Sequence, residues 1–170
     1  MPPGKYILKL CLLGDGAVGK TSLVRRYVFD VFDDKYLMSF GTKVSKKTVS
    51  FDDVEVDLMI WDILGQRTQD SLHAAYYRGA VGALTVCDCT RPETVKSLSS
   101  WVDSFVSVVG HMPITVLANK SDLEKAISMD ELKAFCDSIG STLLETSAKT
   151  GENVEESFQE IARRMVEGLK

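Results

Sequence analysis

The chain lacks a basic excess, for its 20 lysines and arginines are outnumbered by 24 aspartates and glutamates and its formal net charge is -4. Non-specific nucleic-acid binding needs a basic field facing the phosphates, so this balance argues against that partner class. Long apolar runs are missing too. A stretch such as residues 81–86 is far short of the roughly 20 residues that cross a bilayer. Histidine is scarce, with only His73 and His111, far apart and without ligand-spaced neighbours. A structural metal site or a histidine-based triad therefore has little to stand on. The four cysteines, Cys11, Cys87, Cys89 and Cys136, form neither a CxxC pair nor a metal-ligand spacing. They read as reduced thiols packed in the core of a cytosolic protein.

The opening Met-Pro-Pro-Gly-Lys has no apolar signal core, and Pro2 stands where myristoylation needs glycine. The tail Gly168-Leu169-Lys170 offers no cysteine for prenylation, so no lipid anchor is expected in this chain. No repeat, low-complexity tract or Pro/Gly/Ser linker interrupts the sequence. One domain over residues 1–170 is therefore expected, with 45% hydrophobic and 26% charged residues in the normal range for a packed globule.

What is present is an alternation of strand-like and helical segments. Apolar runs at 6–13, 54–61, 82–87, 114–118 and 142–144 are mostly continuous, as expected of parallel strands covered on both faces. Residues 43–51, the pair Asp52-Asp53 and the run from Val54 predict a hairpin with a tight acidic turn. Helices are predicted over 94–109, 129–139 and 154–169. Thr90-Arg91-Pro92-Glu93, Ser128-Met129-Asp130-Glu131 and Asn153-Val154-Glu155-Glu156 supply capping arrangements at their starts. The expected fold is α/β: three layers, with a mostly parallel six-stranded sheet, one antiparallel edge strand and helices on both faces.

Gly14-Asp15-Gly16-Ala17-Val18-Gly19-Lys20-Thr21 follows the first strand and opens a helix. That context suits a phosphate-binding loop, in which glycines let backbone N–H groups turn inward and the helix terminus adds partial positive charge. Lys20 brings a full charge to the outer phosphates, and the Thr21 hydroxyl can ligate Mg²⁺. Asp62-Ile63-Leu64-Gly65-Gln66 ends the third strand beside this loop, where Asp62 can hold Mg²⁺ through water and Gly65 can offer its N–H to a terminal phosphate. Asp137-Ser138-Ile139-Gly140 has the same DxxG spacing, but there Gly140 reads as a helix C-cap. Asn119-Lys120-Ser121-Asp122 and Thr146-Ser147-Ala148-Lys149 close two further strands. The Asp122 carboxylate can accept from the ring N–H and exocyclic amine of guanine together, whereas adenine would leave a partner unsatisfied.

With GDGAVGKT, WDILGQ, NKSD and TSAK in order over the whole chain, the sequence resembles a Ras-superfamily small GTPase. Its phosphate loop is most like the Rho branch. However, the helical insert of that branch after NKSD is absent, and the ungapped stretch 61–80 ending AAYYRGA is more like the Rab branch, which is the one favoured here.

The resemblance implies a P-loop G domain and a GTP/GDP-dependent switch that slowly hydrolyses GTP with Mg²⁺. It implies nucleotide contacts from Asp15, Gly16, Ala17, Val18, Gly19, Lys20, Thr21 and Ser22. Phe32 would lie edge-on to guanine and Tyr36 over the phosphates, although Phe32 as plain core and Tyr36 as plain surface remain open. Lys120 and Lys149 would flank the base, with Asn119, Asp122, Ser147 and the Ala148 N–H completing the base site. Gln66 would orient the attacking water and Lys20 would stabilise charge, while Gly16 leaves space beside the terminal phosphate for Gln66 and for a partner's arginine. With no such arginine evident in the chain, a factor of about 10³–10⁵ in rate is missing and intrinsic turnover should be slow.

Three departures mark this chain. Ungapped counting puts Ser39 where the family places a threonine that binds Mg²⁺ and the terminal phosphate; serine keeps the hydroxyl but loses the methyl that limits its rotamers, and Thr42 is the alternative. Ile63 and Leu64 are larger than usual, and Arg67 replaces a common acidic residue, which bears on exchange-factor contact. The resemblance also implies a set of partners: an exchange factor, an activating protein and effectors, meeting a monomer around Ser39 and Gln66. The expected location is cytoplasmic, with membrane contact only through partners or a segment outside this chain. Two other readings are a non-hydrolysing guanine-nucleotide binding module and an adenylate-using phosphotransferase, the latter disfavoured by Asp122.

Overall fold

The computed structural model describes residues 4–30, 41–64 and 70–170. The expected sheet is present among them: strands β1 (Gly4–Leu13), β2 (Gly41–Phe51), β3 (Val54–Leu64), β4 (Ala80–Asp88), β5 (Ile114–Asn119) and β6 (Thr142–Glu145) lie in the order β2-β3-β1-β4-β5-β6. All neighbours run parallel except β2, which pairs antiparallel with β3 at one edge. Asp52 and Asp53 make the connecting turn with φ of 47° and 62°. Two successive left-handed residues match the right-handed twist of the strands they join, which is why short polar residues stand there.

Helices α1 (Lys20–Phe29) and α6 (Val154–Gly168) cover one face of the sheet. Leu23 and Val24 of α1 and Phe158, Ile161 and Met165 of α6 pack there on Leu10, Leu12, Leu58 and Leu84. Tyr27 and Phe158 stack with ring centroids 4.1 Å apart. Helices α2 (Asp70–Tyr77), α3 (Pro92–Lys96), α4 (Leu98–Val109) and α5 (Met129–Ser138) complete the chain order. Tyr76, Tyr77, Trp101 and Phe105 close over Cys11 and Leu13 on the second face, while Leu98, Leu132 and Cys136 pack with Cys87 and Val116. All four thiols are free and buried. Burial pushes Cys11 and Cys87 up to about 12, so they stay protonated and inert.

Several local expectations need correction. The predicted helix over 94–109 is divided at Ser97, whose hydroxyl donates to the Glu93 carbonyl at 3.1 Å and so competes with the helical backbone bond to the same oxygen. Thr90 does not cap that segment. Its N–H and hydroxyl both go back to Asp88 Oδ1, at 2.8 and 2.7 Å, and Arg91 takes the cap position without a side-chain bond. Asn153 likewise makes no side-chain cap, because its Nδ2 donates to the Glu145 carbonyl at 2.8 Å. Ser128 does cap α5, accepting from the Glu131 N–H at 3.2 Å. Gly140 follows the end of α5, with Ser141 N–H to Cys136 O at 2.8 Å and Gly140 N–H to Asp137 O at 3.3 Å, the double bond pattern that ends a helix. α2 was not predicted. Among the described residues no helix is long and apolar enough to cross a membrane.

Candidate functional site

The C-terminal ends of the parallel strands gather the motifs into one cleft, as strand direction requires in an open α/β sheet. The 14–21 loop leaves β1 and enters α1 through two glycines that no other residue replaces freely. A Cβ on Gly14, at φ 138°, would meet the Val86 carbonyl at 2.3 Å; one on Gly19, at φ 103°, would meet Asn119 Nδ2 at 2.2 Å. By contrast, a Cβ on Gly16 meets nothing described within 4 Å. Among the described residues the loop keeps open space on that side.

Lys20 opens α1 and is buried. Its Nζ donates to the carbonyls of Gly14 at 2.7 Å and Asp15 at 2.9 Å. Burial lowers the ammonium to about 8, against the opposing pull of Asp62 and Asp15. Thr21, next in the first turn, donates its hydroxyl to Asp62 Oδ2 at 2.5 Å, and Ser22 follows it. The other Asp62 oxygen, Oδ1, is buried and has no hydrogen-bond partner among the described residues. Burial raises the Asp62 carboxyl, opposed by the Thr21 hydroxyl and by Lys20 and Lys43. A hydroxyl and a carboxylate with one free buried oxygen form a hard oxygen donor set, the kind Mg²⁺ takes. The residues present fit that ion.

The second half of the cleft is built by Asn119 at the end of β5 and by the segment after β6. Asn119 Nδ2 donates to the Val18 carbonyl at 2.9 Å, and Asn119 Oδ1 accepts from Thr146 Oγ1 at 3.0 Å. One amide thus ties the 14–21 loop to both C-terminal motifs. Lys120, at φ 66°, reaches the Ala17 carbonyl at 3.0 Å. Ser147 donates its hydroxyl to Asp122 Oδ1 at 2.8 Å, which orients the exposed carboxylate. Ala148 is buried beside it and Lys149 is exposed. Phe32, Tyr36, Ser39, Gly65, Gln66 and Arg67 lie outside the described residues. Thr42 is on β2, opposite Ile63.

The model of the family described as "Ras family" matches residues 9–167. The chain belongs to the Ras family. Over 170 residues it is 40% identical to "Ras-related protein Rab7" of Drosophila melanogaster, an alignment covering 96% of this chain and 82% of that protein. It is 36% identical over 161 residues to "Ras-related protein Rab-21" of Dictyostelium discoideum, covering 93% and 76%. With "Ras-related protein Rab-7a" of the same organism it shares 39% over 170 residues, covering 95% and 84%. These likenesses put this Ras-family chain on the Rab branch. It is a GTP-dependent switch that binds nucleotide and hydrolyses GTP, and its family in general uses Mg²⁺ and protein regulators.

Three residues around this GTPase cleft escaped sequence reasoning. Trp101 of α4 donates Nε1 to Asp15 Oδ1 at 2.9 Å. Arg26 of α1 donates to the carbonyls of Lys149 at 3.4 Å and Thr150 at 3.3 Å, holding the base loop against the helix that starts at Lys20. Asp88 is fully buried, with Lys120 Nζ 2.8 Å and Arg91 Nη1 3.8 Å from its Oδ2. Burial works to raise its carboxyl, but the bonds from Lys120 and Thr90 outweigh this and hold it below the usual range. A carboxylate ending the continuous apolar run of β4 was the available signal for Asp88; the others carry none.

Proposed function

We propose that GTP lies along this cleft with its phosphates on the 14–21 loop and its guanine against Asp122. The observation that carries the reading is the Asn119 amide, which joins the phosphate loop to the base motifs at 2.9 and 3.0 Å and so makes one binding surface of them. The N–H groups of Asp15, Gly16, Ala17, Val18 and Gly19 and those at the start of α1, on Lys20, Thr21 and Ser22, hold the phosphates. Lys20 neutralises outer-phosphate charge from a site where water is excluded. Asp122 accepts from guanine, Ser147 orients Asp122, the Ala148 N–H meets the guanine carbonyl, and Lys120 and Lys149 cover the base faces with Phe32 at its edge. Tyr36 covers the phosphates.

Thr21, Ser39 and, through water, Asp62 would hold Mg²⁺, which when bound neutralises charge on the transferring phosphate. Gln66 orients the attacking water, and Gly16 leaves it room. The Ser39 hydroxyl and the Gly65 N–H sense the terminal phosphate, so its loss releases the segments around Ser39 and Gln66. An exchange factor, an activating protein and effectors read those segments. The protein acts as a monomer in the cytoplasm and meets membranes through partners.

Single-turnover phosphate release from protein preloaded with GTP and supplied with Mg²⁺ tests this. Slow release is expected, reduced about 10²-fold in Gln66→Leu because a group acting on the transition state is removed. Equal release from both proteins takes the catalytic role away from Gln66. Retention of GTP without release from either would make the chain a binding module.

A further inference from the structure

We infer that Arg91 is a positioning residue for the phosphate end of the site, resting on the nucleotide placement proposed above. Its guanidinium fixes the peptide between Gly16 and Ala17 so that the Ala17 N–H faces the cradle. Arg91 Nη1 donates to the Gly16 carbonyl at 3.1 Å. The next two carbonyls are gripped in the same way, that of Ala17 by Lys120 at 3.0 Å and that of Val18 by Asn119 at 2.9 Å. Every described peptide bond is trans. In a trans peptide the C=O of one residue and the N–H of the next point in opposite directions. Three carbonyls held from outside therefore turn three successive N–H groups, those of Ala17, Val18 and Gly19, the other way. Successive N–H groups converging like this form an anion-binding concavity.

Ala17 shows that the arrangement needs holding. It sits at φ 63°, a left-handed conformation that is strained for a residue with a Cβ. The peptides on either side of it are the ones clamped by Arg91 and Lys120. Those two cations also share a single anchor, since both approach Oδ2 of the fully buried Asp88. Glu93 braces the guanidinium from the solvent side, its Oε2 3.4 Å from Arg91 Nε, and Pro92 between them fixes the backbone. A charged donor on the Gly16 carbonyl also polarises that peptide and makes the Ala17 N–H a stronger donor to an anion.

Arg91 thus acts on the phosphates beyond the first, because of the three clamped N–H groups that of Ala17 lies farthest along the chain from the start of α1. GMP has no such phosphate and GDP has one. In Arg91→Ala, GDP release in Mg²⁺ is expected to accelerate about tenfold, the loss of one charge-assisted hydrogen bond. Affinity for GMP, read by competition at high concentration, should stay within twofold. Arg91→Lys keeps a charged donor and is expected to restore most of the retention. Thermal unfolding of each variant checks that the fold is kept; should Arg91→Ala be unfolded, Arg91→Gln carries the same comparison. GDP release within twofold of the native rate in Arg91→Ala overturns the assignment. Equal losses for GDP and GMP overturn it as well, since that is the mark of general destabilisation. A native protein that holds GDP no better than GMP would instead sink the nucleotide placement itself.

Discussion

At the base end of the cleft the protein supplies its own partners. Asn119 is bonded through both its amide nitrogen and its carbonyl oxygen, and Asp122 is steadied by the Ser147 hydroxyl. The phosphate end differs. There Asp62 keeps one buried oxygen without a partner, and the buried Lys20 ammonium turns to backbone carbonyls of its own loop. A guanine base is neutral, so its site can be finished in protein alone and merely opened to solvent. Phosphates and Mg²⁺ carry full charges, and the groups that meet them must be left incompletely compensated until those charges arrive.

The largest effect should come from breaking the finished end. Asp122→Asn replaces a double acceptor by a group that donates, and GTP is expected to lose affinity on the order of 10⁴-fold relative to xanthosine triphosphate. Competition binding of the two nucleotides measures this, and an undiminished preference for GTP would refute the base assignment. At the unfinished end, Asp62→Ala should reduce the Mg²⁺ dependence of GDP retention by about 10–100-fold, the range for losing a group that orients metal-bound water. The same variant without nucleotide should melt no lower than the native chain, because it sheds a buried, half-satisfied carboxylate. Comparing release rates with and without a chelator, beside apo melting, separates the two.

Asp88 lies between the ends and sharpens the comparison. Its carboxyl is held below the usual range, so its stabilising contribution is complete above the ordinary carboxylate value near 4 and fades as pH falls through the depressed one. Asp88→Asn is therefore expected to cost about 2 kcal/mol at pH 7, with the gap to the native chain closing below about pH 4. Urea unfolding at both pH values tests the sign; a gap that widens in acid would contradict it. The smallest effect belongs to a site remote from both ends. Ser128→Ala removes the α5 cap and should cost about 1 kcal/mol while leaving GDP release untouched.

How far the fold was legible depended on how local its cause was. Continuous apolar runs announced β1, β4 and β5 because strands covered on both faces need no polar alternation. The acidic hairpin turn and the Ser128 cap were readable for the same reason, each being settled within four residues. α2 was not, since Tyr76 and Tyr77 look like strand formers until they are packed on Cys11, Trp101 and Phe105. The caps expected at Thr90 and Asn153 failed because partners outside their helices, Asp88 two residues upstream and the Glu145 carbonyl eight residues upstream, claimed those side chains.

The sequence by itself determined the chemical parts of this Rab-branch GTPase: a glycine loop after a strand, a lysine and threonine opening the helix, and acidic and amide residues at the ends of later strands. Their residue types and spacings are local properties of the chain, so they are written in its order. Tertiary structure alone decided which groups hold those parts in place. Arg91 meets Gly16 across 75 residues, Trp101 meets Asp15 across 86 and Arg26 meets Lys149 across 123. Contacts over such separations exist only once the sheet has brought the strand ends together, because hydrogen bonds act over about 3 Å and carry no trace along the chain.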